Sequence, residues 1–468
     1  MARDGDNRLN YRAPHGRWPS TGFHGCYRKE VHNSAPTITP CEVHSEMTSQ
    51  ERHEARYQRR KAARQAKHRA RIAQYDNFDR VADVSSLVDA NYNARKGVMW
   101  KASVARYNAR YFKNSIKIHK TLMRGGDTRR GFYHFGIVER GKKRAVHSLH
   151  YSERVVRRSA CTNALVPILS GNLIYDNGAS LEGKGISFAV KRCAVHLHEF
   201  YRETGGNDGY ILLIDYRAFF DNINLDNLKR NVIDRHILDQ RLNALAKNFV
   251  DAPNLERIKY GQPTKENGLY IGPEDSQIFA IAYPNSIDHT IKDQWRQRWF
   301  ARYMDDSYII NKSKELLIEF RRLLFGLFAE KGIIPNPKKT QIVKLRRGFT
   351  YLKTKFTLLP NGKVLQQPCR ESVIRERRKI KKFFNFLQAG LMTMEQILTS
   401  YMSWRGSLVK KQARHSVHCT DLLFYKLYGI MPWKIKSKRK SKARHIQWKN
   451  LLNASTPSMP KSPPLKAC

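Results

Sequence analysis

Acidic side chains are scarce in this chain: 40 Asp and Glu stand against 86 Lys and Arg, a formal net charge of +46 over 468 residues. So one-sided a balance points to a polyanionic partner, with nucleic acid the first candidate and an anionic membrane surface the second. Long apolar runs are also lacking. No run approaches the ~20 residues that span a bilayer, and no apolar signal-peptide core opens the sequence, so a membrane or secretory role is not expected. Cysteine is sparse, and the seven (Cys26, Cys41, Cys161, Cys193, Cys369, Cys419 and Cys468) include no CxxC pair. That pattern is expected of reduced thiols in a cytoplasmic protein rather than of a disulfide framework. Cys193 with His196 and His198, and His415 with His418 and Cys419, each lack the second pair that a closed zinc site needs. What remains is an ordinary apolar fraction of 41% with 11% aromatics, enough for a sizeable core in two or three domains.

Along the chain, residues 1–46 are rich in Gly, Pro, His and Asn without periodicity and are expected to be a disordered leader. Met47 then precedes Thr48-Ser-Gln-Glu51, a capping box, so Met47 is a candidate start and the leader upstream sequence. From Arg52 to Arg71 nine basic residues are interleaved with Ala and Gln, which predicts a helix that is either a solvated face or a phosphate-contacting one. Residues 131–169 predict a strand, a basic turn, a strand and an amphipathic helix. GYILLIDY, from Gly209, predicts a buried strand, and residues 225–250 return to helical spacing. NGLYIGPEDSQ is a Gly-rich loop entering a helix, RYMDDSYII a hairpin with Asp-Asp at its turn, and residues 313–331 a helix. More strands follow in KGIIPNPKKTQIVKL and GFTYLKTKFTLL, then a basic amphipathic helix from Glu371 to Ala389 and another capped by Thr393 and Gln396. The tail from Trp433 is basic and Pro-rich and is expected to be disordered.

The carboxylates stand out against so much positive charge. Asp215 ends the apolar strand ILLID, and about 90 residues later the hairpin carries Asp305 and Asp306. A strand end and a hairpin tip that meet make an oxygen-only acidic site. Mg²⁺ takes such hard ligands, and two ions can clamp the attacking and leaving oxygens of an in-line phosphoryl transfer. A track of positive charge suits a polynucleotide, while the reacting phosphates need metal, and metal needs local negative charge.

ARYMDDSYII resembles the active-site hairpin of reverse transcriptases, and LIDYRAFFDNIN resembles their first metal-binding strand. The order of motifs over residues 130–430 is similar as well: basic fingers strands, first Asp, Gly-x-x-x-Ser loop, Asp-Asp hairpin, Lys-bearing turn, then GFTYL as primer grip. The resemblance implies an α+β right-hand polymerase fold, with fingers, antiparallel-sheet palm and helical thumb, plus a basic helical N-terminal extension. The expected boundaries are 47–125 for the extension, 126–208 for fingers, 209–360 for palm with a fingers insertion at about 226–265, 361–432 for thumb and 433–468 for the tail. It implies that Asp215, Asp305 and Asp306 bind two Mg²⁺, with Mn²⁺ the alternative ion, and that Tyr216 offers its backbone carbonyl. Phe220 would lie under the sugar and exclude a 2′-hydroxyl, its alternative reading being a core aromatic beside Phe219. Arg144 would grip the incoming triphosphate, with Lys143 and Arg140 as further candidates. Lys339, or its neighbour Lys338, would act at the pyrophosphate leaving group. Gly272 and Ser276 would shape the loop against the nascent base pair.

That loop reads Ile271-Gly-Pro-Glu-Asp-Ser276-Gln277, where most reverse transcriptases have Gln-Gly-x-x-x-Ser-Pro. Ile271 for Gln and Gln277 for Pro are similar to the enzymes of diversity-generating retroelements, which copy an RNA template with frequent errors at adenines and work with a basic accessory protein. The expected function is therefore an RNA-directed DNA polymerase acting on an RNA template, a DNA or RNA primer and dNTPs, bacterial or phage-encoded. Retron-type or antiphage-defence enzymes, with a dedicated noncoding RNA, are one alternative. A maturase-like RNA-binding protein is a second. No further catalytic constellation, nuclease or ribonuclease H, is legible after GFTYL.

Overall fold

The computed structural model describes residues 48–139, 142–408 and 411–432. The leader, the tail from Trp433 and Arg140 lie outside the described residues. The chain divides into two units, Met1–Lys61 and Ala62–Cys468. In the first, Thr48 and Glu51 cap one another as the sequence predicts, Thr48 N donating to Glu51 Oε2 at 2.7 Å and Glu51 N to Thr48 Oγ1 at 3.3 Å. The helix they open spans Ser49–Tyr75, and its described side chains are mostly exposed, as nine basic residues without an apolar stripe require.

Nine strands make three antiparallel sheets among the described residues. β1 (Phe132–Glu139) and β2 (Lys142–Leu149) form a hairpin. β3 (Tyr210–Asp215), β4 (Phe300–Tyr303), β5 (Asp306–Asn311) and β6 (Gln341–Lys344) form a four-stranded sheet in the order β4-β5-β3-β6. β7 (Phe349–Tyr351), β8 (Thr354–Leu358) and β9 (Val364–Pro368) form the third.

The four-stranded sheet is buried on both faces, which is why ILLID and YII read as unbroken apolar runs rather than alternating ones. Leu212, Ile214, Phe300 and Ile309 join one core with the helices of residues 78–170, Glu274–Ala282 and Lys314–Glu330. Ile211, Leu213, Ala301, Tyr308 and Ile310 point the other way, into a second core with the Ile186–Thr204 helix and the β7–β9 sheet. With helices on both sides, the sheet is a fixed platform whose strand ends can carry polar chemistry. A third core, around Ile380, Ile397, Leu398, Tyr401, Phe424 and Tyr428, joins the helices Arg370–Gln388, Met394–Ser407 and Arg414–Tyr428. The Thr393/Gln396 capping box is present. Among the described residues no helix is long and apolar enough to cross a membrane.

Candidate active site

The strand register brings the three aspartates together. In the sheet Asp215 is the direct partner of Asp306, and Tyr216 N donates to the Asp305 carbonyl at 3.3 Å. One expectation is refined here. Only Asp305 lies in the turn; Asp306 is already the first residue of β5, opposite Tyr303 on one side and Asp215 on the other. Met304 makes the turn possible by adopting a left-handed backbone, φ +54°.

Asp215 is almost fully buried, and its two oxygens are held by the segment that follows the Lys314–Glu330 helix. Asn336 Nδ2 donates to Oδ1 at 2.9 Å and Lys339 Nζ to Oδ2 at 2.6 Å, while Asn336 N donates to the Asp215 carbonyl at 2.7 Å. Lys339 is thereby placed at the site; exposed Lys338 uses its backbone N–H on Asn336. Asn336 was not legible as a site residue. The signal was Asn between two prolines, a turn signature, with nothing to say which carboxylate the turn would cradle.

Electrostatically the site is short of positive charge. Burial pushes the Asp305 carboxyl up, and the Asp215 charge adds to this, with Lys339 and Arg144 opposing. Burial and the charges of Asp305 and Asp215 push Asp306 up to about 7. Burial works against the Lys339 ammonium, but contact with Asp215 outweighs it and holds its pKa above the usual lysine value. Among the described residues no three His, Cys, Asp or Glu side chains are gathered closely enough to hold a metal ion as they stand. Yet the donor set fits a hard divalent cation: three carboxylates that repel one another, with an ammonium already standing against Asp215 in a cation's place. Asp215, Asp305 and Asp306 are the residues that would hold it.

The β1–β2 hairpin carries two of the candidate cations, Lys143 and Arg144. Phe132, exposed His134 and His147 share one face, with His147 stacked on Tyr270 at 3.7 Å and His134 Nε2 3.0 Å from Glu256. The opposite face carries Tyr133, Phe135 and Ile137, all exposed, with Arg144 paired to Ile137. Arg144 and Lys143 therefore project from opposite faces. The Arg144 charge opposes the rise of the Asp305 carboxyl. The loop predicted to meet the base pair docks on this hairpin: His147 N donates to the Ile271 carbonyl at 3.1 Å. Gly272, at φ +139°, lies so close that a Cβ there would stand 2.4 Å from the His147 carbonyl oxygen. Ile271 and Gln277 are half-buried, and Ser276 is buried in the first turn of the Glu274–Ala282 helix. Phe219 is buried whereas Phe220 is only half-buried against the core, its carbonyl accepting from Leu269 N at 2.8 Å. Tyr216 is buried between Phe219 and Phe328.

Two charged clusters went unread in the sequence. Arg157 and Arg302 are fully buried, the first paired with Glu153 and Asp275 and the second with Asp288. In so basic a chain an isolated arginine reads as surface, so composition masked both.

Comparison with known proteins bears on the same stretch. Two solved structures are similar to part of the chain. One is a Candida albicans telomerase in complex with a fragment of telomeric RNA, with TM-score 0.38 and 12% identity over 64% of this chain and 58% of that one. The other is an apo telomerase from Candida tropicalis truncated from its C-terminal domain, with TM-score 0.39 and 15% identity over 50% and 54%. The chain thus spans little more than half the length of either. No curated protein matches the sequence. Residues 154–356, which hold Asp215, Asp305, Asp306 and Lys339, match the family model described as reverse transcriptase (RNA-dependent DNA polymerase). Over that stretch the chain carries a reverse transcriptase domain, the nucleotidyltransferase domain of RNA-directed DNA polymerases.

Proposed function

We propose that the protein copies an RNA template into DNA, with Asp215, Asp305 and Asp306 holding two Mg²⁺ ions. The observation that carries this reading is the cross-strand pairing of Asp215 with Asp306 beside the Asp305 turn, on a sheet buried on both faces. Bound ions would activate the primer hydroxyl and neutralise charge on the reacting phosphates. The chain's own groups do the rest. Arg144 grips the triphosphate with a bidentate guanidinium, and Lys339, which stands at Asp215 in the structure, would offer its ammonium to the leaving pyrophosphate. Phe220 closes the space under the sugar and excludes a 2′-hydroxyl.

Exposed Tyr133 and Phe135, on the hairpin face that carries Arg144, make a stacking platform suited to the single-stranded template ahead of the site. In this reading β1 to the Ile186–Thr204 helix are fingers, the four-stranded sheet is palm and the three C-terminal helices are thumb. Ile271, with no donor or acceptor on its side chain, supports low-fidelity copying of the retroelement kind, because an apolar wall senses shape alone.

Primer extension on an RNA template tests the assignment. Wild type should extend with Mg²⁺, stop on chelation and resume on its return, and Asp305→Asn should remove nearly all synthesis. Extension by Asp305→Asn at the wild-type rate would end the two-metal reading.

A further inference from the structure

The helix that follows the Gly272 loop, Glu274–Ala282, is gripped at both ends by buried arginines. At its first turn Arg157 Nη1 donates to Asp275 Oδ2 at 2.7 Å while Nε and Nη2 hold Glu153 Oε1 at 3.0 and 2.8 Å. At its last turn Arg302 Nη2 donates to the Ile281 carbonyl at 2.7 Å. The same guanidinium takes Asp288 through Nε, 2.9 Å to each oxygen, and Nη2, 2.6 Å to Oδ2. Its third nitrogen, Nη1, donates to the Met304 carbonyl at 3.2 Å. Met304 is the left-handed residue of the turn, and Asp305 follows it.

Arg302 is 0% exposed, and its backbone is fixed too, with N donating to the Asp176 carbonyl and O accepting from Gly178 N. Stability alone is a poor reason for such an arrangement, since buried ion pairs are often replaced by apolar groups at no loss. Geometry is a better one. Only a planar fork can reach a carboxylate and two backbone carbonyls on three segments at once; an ammonium on a flexible stem cannot.

We propose that Arg302 is a positioning residue for nucleotidyl transfer: it ties the helix that begins at the Gly272 loop to the Met304 carbonyl, and so fixes the Asp305 turn against Asp215 for metal binding. The proposal rests on the polymerase reading. The nine-residue helix then acts as a strut of about 13 Å between the loop that meets the nascent pair and the turn that carries Asp305.

The test uses Mn²⁺ binding to the free full-length protein, followed by electron paramagnetic resonance, beside thermal unfolding and the Mg²⁺ dependence of primer extension. Arg302→Lys keeps a charge for Asp288 but cannot hold all three acceptors. It should weaken Mn²⁺ binding by about tenfold, the worth of one hydrogen bond, and raise the Mg²⁺ midpoint comparably. Synthesis should recover at saturating metal, and KM for dNTP should change little. Should Arg302→Lys fold poorly, the Arg302→Met/Asp288→Leu pair replaces the ion pair by apolar groups and removes the tie to Met304; it should be stable and bind Mn²⁺ weakly. Wild-type Mn²⁺ affinity in either folded variant would overturn the proposal, leaving Arg302 a core residue. A wild-type protein with no Mn²⁺ site that Asp305→Asn removes would overturn the polymerase reading itself, and this inference with it.

Discussion

Gly272→Ala is the perturbation whose cost can be worked most directly from the structure. The new Cβ would stand 2.4 Å from the His147 carbonyl oxygen, and ordinary contact begins at 3.4 Å, so hairpin and loop must part by about 1 Å. The obstacle is backbone, not the end of a flexible side chain, and φ +139° is itself a region that L residues rarely adopt. Strain of this kind costs about 1–3 kcal/mol. Losing the His147 N–H to Ile271 carbonyl bond adds about 0.5–1.5 kcal/mol. The sum, about 1.5–4.5 kcal/mol, corresponds to roughly a 10-fold to 1600-fold loss of the docked loop at 1.4 kcal/mol per decade. Because the strain falls on the loop rather than on the sheet, the loss should appear in kcat/KM for dNTP during steady-state primer extension, with a melting temperature close to wild type. A Gly272→Ala enzyme with unchanged kcat/KM would refute the docking of this loop as a requirement for nucleotide use.

Three further outcomes follow from the site and the core. Phe220→Ala should admit ribonucleotides in a competition of rNTP against dNTP, because the half-buried ring is the group proposed to close the space under the sugar; continued rejection by an active variant would make Phe220 a core aromatic and move the gate elsewhere. Ile271→Gln should lower misincorporation by about tenfold to a hundredfold by restoring one hydrogen-bonding check, read by sequencing cDNA from one template; equal error rates, with no adenine bias in wild type, would remove the case for mutagenic copying. Asp176 supplies an acid-side test: burial pushes its carboxyl up, but His196, Lys292 and Arg192 outweigh burial and hold it well below the usual range, with Lys184 and Tyr308 also near. A depressed native pKa stabilises fully above the unfolded value of about 4 and is lost as pH falls below it. Denaturant unfolding below about pH 4 should therefore fall more steeply for wild type than for Asp176→Asn; parallel curves would contradict this role for Asp176.

Local pattern made most of the strands, the basic helix, the two capping boxes and the three aspartates legible, since each is written in neighbouring residues; β9 went unread, and KGII, expected as strand, is turn and loop. Apolar runs such as ILLID announced a buried strand because both faces of the sheet are covered. The turn was less legible: Asp305 and Asp306 look equivalent in sequence, and only the register with Tyr303 and Asp215 separates turn from strand. Arg144 was preferred to Lys143 from the sequence, but only the pairing with Ile137 and Val138 puts the two on opposite faces. What sequence could not give were contacts between distant segments. Asn336 on Asp215, Arg157 on Asp275 and Arg302 on Asp288 each join residues separated by 14 or more positions. With 86 Lys and Arg in the chain, a buried arginine carries no mark of its burial.

The most direct test of the account is addition of a single deoxynucleotide to a primer annealed on RNA, with Mg²⁺, by wild type and by Asp306→Asn. Asp306 is the residue that the sheet sets opposite Asp215, and a lost metal ligand removes several kcal/mol of transition-state stabilisation. Wild type should show template-directed addition and the variant a loss of about a thousandfold or more, with the fold and RNA binding retained. Addition by Asp306→Asn at the wild-type rate would contradict it.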